Sequence, residues 1–122
     1  MPMANKHRGE VEIRLAGKTC VMAPTWEAIA EIEQTTGRGI VELANRFIQQ
    51  RYGLVEMAAV VFAGIKAGES PFVAKPTLEG TGRMILLDGV ANFAAPVTLF
   101  LANVLSGGET PKPGEAEAAE AE

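Results

Sequence analysis

The sequence predicts an α+β fold, mainly helical, in which an N-terminal β-hairpin packs on a bundle of about four to five helices. Three observations predict it. Val11, Ile13 and Leu15 alternate with Glu10, Glu12 and Arg14, the period of a half-buried strand. From Trp26 onward the apolar residues recur every three or four positions, the helical period. Hydrophobic residues make up 48% of the 122, enough for a modest core in one small domain.

The hairpin is expected over 10–23. Ala16-Gly17-Lys18 turns the chain, with Gly17 free to take a positive φ, and Pro24 stops the return strand. A two-stranded hairpin is marginal alone in water, so its apolar face must lie on the helices that follow. The first helix is expected over 26–36, with Thr25 as N-cap, Glu27 favoured by the dipole in the first turn and Gly37 as the terminator. The second, 39–52, buries Ile40, Leu43, Ala44, Phe47 and Ile48 and sets Glu42 and Arg46 four apart as an ion pair. The third, 54–67, is apolar almost all round, which places it at the centre or against a partner. A fourth runs over 77–88 behind a Thr77 cap. The fifth spans 90–105 and carries Pro96, which removes a helical hydrogen bond.

The formal charge is −4, and it lies at one end. Five Glu and one Lys fall between Glu109 and Glu122, leaving ten acids and ten bases of the chain's fifteen and eleven to cancel. Residues 1–8 therefore read as a flexible arm, 9–107 as a single globular domain, and 108–122 as a disordered acidic tail. A balanced body lacks the clustered basic surface of a nucleic-acid binder. The start of the chain has no apolar run of the secretory kind, and one cysteine, Cys20, fits a reducing, cytoplasmic setting. Met84–Leu105 approaches the length of a membrane span, but Asp88, Asn92 and Asn103 are costly in lipid and Gly89 breaks it. These residues read as core helices, with no membrane.

The residues that carry chemistry are absent. His7 and Cys20 have no partners spaced for a metal site or for nucleophilic catalysis. Gly64–Ser70 lacks the lysine-hydroxyl ending of a phosphate loop, and Glu79–Met84 lacks the strand-turn-helix setting of a dinucleotide site. Glu27, Glu31 and Glu33 read as solvated helix residues. No enzyme, cofactor or metal is expected. What remains are aromatic side chains. Trp26 reads first as a core anchor on the hairpin and second as an interface hot spot; Phe72, in a polar loop, has no obvious core role. Trp26, Phe47, Phe62 and Phe72 are the candidates for a protein-docking face.

The stretch Ala4 to Gly68 carries a resemblance. It has Arg8-Gly9-Glu10-Val11 in the hairpin, Pro24-Thr25-Trp26, Ala30 to Glu33, Thr36-Gly37-Arg38, and a third helix ending in Ala63-Gly64-Ile65-Lys66-Ala67-Gly68. This pattern resembles the small tail proteins of gene transfer agents and related phages, classed with the tail assembly chaperones. The resemblance implies a non-enzymatic chaperone, cytoplasmic in a bacterial host and transiently associated with assembling tails. Its implied partners are the tape-measure protein and the tail tube protein, and a homo-oligomer is compatible with it. A structural minor tail or tube component retained in the particle is the alternative. A third reading takes Thr35–Phe47 as a helix-turn-helix of a small DNA-binding regulator, against which stand Glu42 and the neutral body.

Overall fold

The computed structural model describes residues 4–5, 8–68, 72 and 75–107. Strands β1 (Val11–Leu15) and β2 (Lys18–Met22) precede helices α1 (Trp26–Thr36), α2 (Ile40–Ile48), α3 (Leu54–Ala67), α4 (Leu78–Asp88) and α5 (Ala91–Ser106). The architecture is the α+β, mainly helical one that the two apolar periods predict. The expected acidic tail lies outside the described residues, as does His7. Within the expected arm, Asn5 donates its N–H to the Glu10 carboxylate at 2.8 Å and accepts from the Arg8 N–H.

The two strands are antiparallel, with Val11 opposite Met22 and Leu15 opposite Lys18. That register leaves a two-residue turn in which Ala16 and Gly17 have φ of 53° and 75°, the hairpin turn that matches strand twist. Glycine adopts this conformation freely, whereas alanine pays a steric cost of about 1–2 kcal/mol. Asp88, the last residue of α4, offsets it by accepting the Ala16 N–H at 2.7 Å. The charge that argued against a membrane span thus fastens the hairpin turn. Among the described residues no helix is long and apolar enough to cross a membrane.

Val11, Ile13 and Leu15 are buried while Glu12 and Arg14 are exposed, and α3 and α5 pack against the sheet. The nearly all-apolar α3 is central, touching α1, α4, α5 and β2. Its C-terminal half lies against the β2 backbone. The Ala23 N–H donates to the Gly64 carbonyl at 3.0 Å. A Cβ on Gly64 would sit 2.8 Å from Met22 Cβ, and one on Gly68 would run into the Val21 carbonyl. Only a bare backbone fits this seam.

Helix α1 starts as expected, with the Thr25 hydroxyl accepting from the Ala28 N–H at 3.1 Å, and ends at Gly37 with φ of 70°. Trp26 departs from its core-anchor reading: it is 81% exposed. The buried stripe of α1 runs through Ala28 and Ile32, and at ~100° per residue Trp26 lies ~200° round the helix from Ala28. Helix α2 stops at Ile48 rather than running on to Tyr52. Gln50 turns the chain back with φ of 58°, and this return lays the Tyr52 ring on Phe47, centroids 4.5 Å apart and nearly parallel. Pro96 falls inside α5, in its second turn; Asn92, whose carbonyl loses its helical donor there, is exposed.

Candidate functional site

Several ion pairs among the described residues fasten elements together. The Glu42–Arg46 pair expected from spacing does not form. Glu42 instead holds Arg38 at 2.6 Å, and Arg46 turns to Glu56 of α3. The Glu56 carboxylate, 13% exposed, takes the Arg38 Nε at 2.7 Å on one oxygen and the Gly53 N–H at 2.9 Å on the other. Arg46 Nε lies 3.3 Å from it without a hydrogen-bonding alignment, while its Nη2 reaches the other oxygen at 3.4 Å. Burial would push the Glu56 carboxyl up. The Gly53 N–H, the Arg46 charge and the two guanidinium hydrogen bonds outweigh burial and hold it below its ordinary range.

Glu56 thereby closes the α3 N-terminus and ties it to α2 and the α1–α2 turn. Glu33 works similarly, accepting the Ile40 N–H at 2.8 Å where the N-cap residue, Gly39, has no side chain to offer. Glu31 pairs with Lys66 at 2.7 Å. Two of the three acids that read as solvated in the sequence therefore have partners. The Cys20 thiol is buried and desolvation pushes its pKa up, the opposite of what a nucleophile needs. Among the described residues no group of three or more His, Cys, Asp or Glu is placed to hold a metal ion.

The four candidate docking residues do not converge. Phe47 is buried against Tyr52. Phe62 and Phe72 come together in the wall of a pocket of about 560 Å³ near the end of α3, each with a lysine over its ring, Lys66 at 4.6 Å and Lys18 at 5.6 Å. Trp26 is absent from that wall, at the start of α1.

Two further grooves lie between helices, and of the four aromatic candidates only Phe47 lines either of them. Ile48 of α2 and Ala91, Ala95, Thr98, Leu99 and Ala102 of α5 line one of about 620 Å³, with Phe47 also in its wall. Among the described residues no charged side chain lines it, and Ile48 and Leu99 are 57% and 45% exposed. The signal lay in the small residues spaced three and four apart along α5, which keep its outer face low. Leu54, Val55, Leu78, Gly82 and Leu86 line the other, about 340 Å³ between α3 and α4, edged by Glu79 and Arg83.

Residues 8–107 match the family described as phage tail tube protein, GTA-gp10. The chain belongs to this family. The match runs beyond Gly68, where the sequence resemblance stopped, through α4 and α5. No curated protein and no solved structure matches the chain. Membership in a structural family of phage and gene transfer agent tails is in keeping with a surface whose distinguishing features are grooves between helices, the kind that accept another protein.

Proposed function

We propose that this chain is a non-enzymatic tail assembly chaperone that binds apolar segments of the tape-measure protein and assists assembly of the tube around them. The observation that carries this reading is the uncharged groove between α2 and α5. A tape-measure segment is a long helix with apolar faces, and until the tube surrounds it those faces need cover. A groove floored by alanines lets such a helix approach closely, and exposed Ile48 and Leu99 grip its apolar residues. With no charged side chain lining it among the described residues, docking there desolvates no carboxylate or ammonium of that lining. Trp26 and the Phe62–Phe72 pocket are proposed as secondary contacts.

The family description favours a second reading, a tube component that stays in the particle. Against it stands the modest sheet. Two five-residue strands offer little edge for a ring whose permanent interfaces bury on the order of 2,000 Å² or more. A DNA-binding role has less support, since Arg38 and Arg46, which it would need free, are paired with Glu42 and Glu56.

Co-expression with the tape-measure protein of the same tail gene cluster tests the proposal. The expected result is a soluble complex, lost in the double variant Ile48→Asp/Leu99→Asp while the variant itself remains folded by circular dichroism. An insoluble tape measure, together with recovery of the chain in finished particles, would favour the tube component.

A further inference from the structure

We infer that the groove between α3 and α4 is the self-association face of this chain, and that its occupant is α4 of a second copy, lying antiparallel across a two-fold axis. The groove's wall on α4 is formed by Leu78, Glu79, Gly82, Arg83 and Leu86. Two copies related by a two-fold share one surface, so each feature must meet its complement on the same helix. This helix supplies both kinds of complement. The exposed Glu79 and Arg83 are opposite charges. In an antiparallel pair centred midway between them, at Thr81, each faces the other residue of the second copy. Leu78, half-buried, and Leu86, 57% exposed, are an apolar pair whose midpoint is Gly82. The two midpoints differ by one residue, ~1.5 Å along the axis, so a single docking satisfies both sets. Leu86 then enters the partner's groove beside Val55, itself 66% exposed.

Gly82 supplies an independent observation. A Cβ there would meet only Ala58 Cβ, at 3.6 Å, an ordinary contact. Packing within one copy does not require glycine at this position, although glycine in a helix interior is unfavourable relative to alanine. A second helix crossing at Gly82 does use the bare backbone, since it lets the axes approach. The Glu79–Arg83 pair within one copy is 3.2 Å apart with both side chains largely exposed, so it exchanges partners readily. This face is on different helices from the α2–α5 groove, and the inference stands whether or not the tape measure binds there.

The groove is short compared with the ~1,200 Å² buried by stable interfaces, so the dimer is weak, with a dissociation constant on the order of 10–100 µM. Sedimentation velocity on the full chain, from ~5 µM to ~500 µM so as to bracket that range, tests it. The expected result is a monomer–dimer equilibrium. Glu79→Arg alone, or Arg83→Glu alone, weakens it about fivefold, since each reversal makes two cross-pairs repulsive. The double reversal Glu79→Arg/Arg83→Glu restores it. Gly82→Ala weakens the dimer while leaving the monomer at least as stable as before, which separates loss of the interface from loss of the fold. A chain that stays monomeric throughout, or single reversals without effect and no rescue by the double, overturns the inference. So does an outcome in which Leu86→Asp leaves self-association unchanged but abolishes tape-measure binding, which would give the groove to that partner.

Discussion

Glycine serves two of the seams of helix α3, those with β2 and with α4, in opposite ways. Against β2, Gly64 and Gly68 let the helix press on the strand until no atom can be added; an added methyl would strike Met22 or the Val21 carbonyl. Against α4, Gly82 leaves room, with Ala58 Cβ at an ordinary 3.6 Å from a would-be Cβ. The first seam joins helix to sheet and is closed. The second is an open groove between two helices. The difference teaches that a glycine's role depends on what its missing side chain would touch: one seam uses the space for its own packing, the other leaves it vacant for something else.

The comparison breaks first at the closed seam. Gly68→Ala should destabilise the chain by about 3 kcal/mol, the upper end for overpacking, because a backbone carbonyl cannot move aside; Gly64→Ala should cost somewhat less, since Met22 is flexible. Urea midpoints measure both. Next is Glu56→Gln, which weakens four contacts at once and should cost about 2 kcal/mol. It carries a pH signature. The Glu56 carboxyl is held below the ordinary value, so the unfolded chain takes up the proton first as pH falls. Its stabilisation is complete above about pH 4.5 and is lost as pH drops through the lower native value. Urea titrations at pH 6 and at successively lower pH should show wild-type and Glu56→Gln converging.

Asp88→Ala comes third, at about 1 kcal/mol for the lost hydrogen bond to Ala16, and Ala16→Gly should recover part of it by relaxing the positive φ. Gly82→Ala, at the open seam, should have the opposite sign, raising monomer stability by about 0.5–1 kcal/mol. A Gly82→Ala chain that melted lower, measured at a concentration too dilute for dimers, would collapse the distinction between the two seams. Smallest is Trp26→Ala, within about 0.5 kcal/mol of wild-type stability because the ring is on the surface.

Most of the fold could be read from local pattern, because its determinants are local. The alternation at Val11–Leu15, the Thr25 and Thr77 caps and the Gly37 stop each act within a few residues, and each stands where the spacing put it. What escaped depends on contacts between distant residues. Arg46 leaves its neighbour Glu42 for Glu56 because a half-buried carboxylate already fixed by Gly53 outcompetes an exposed one. The second helix stops early because Tyr52 returns to stack on Phe47. Trp26 misled because ring size argues for burial, whereas its angle on α1 decides exposure. The candidate site was less legible than the fold. Docking was sought in aromatic residues, yet only Phe47 of those lines the α2–α5 groove; the rest of its lining is alanines, a threonine, a glutamine and two aliphatic residues, a set that no composition rule marks out and that only the juxtaposition of α2 and α5 assembles.

The grip of Asp88 on the Ala16 N–H also sets an order of events. A ribosome releases the hairpin before the helices that cover it; the carboxylate that fastens its turn follows Ala16 by 72 residues, and the Asn103 amide that reaches the Gly9 carbonyl follows it by 94. Contacts of such long sequence separation form late. The hairpin is therefore among the last elements to be fully secured: a nascent chain halted before α4 has α3 to seat β2 but lacks the α4 and α5 contacts of β1, which leaves Val11, Ile13 and Leu15 without that cover. Completion of the last two helices is the step that removes this adhesive strip from circulation in a crowded cell.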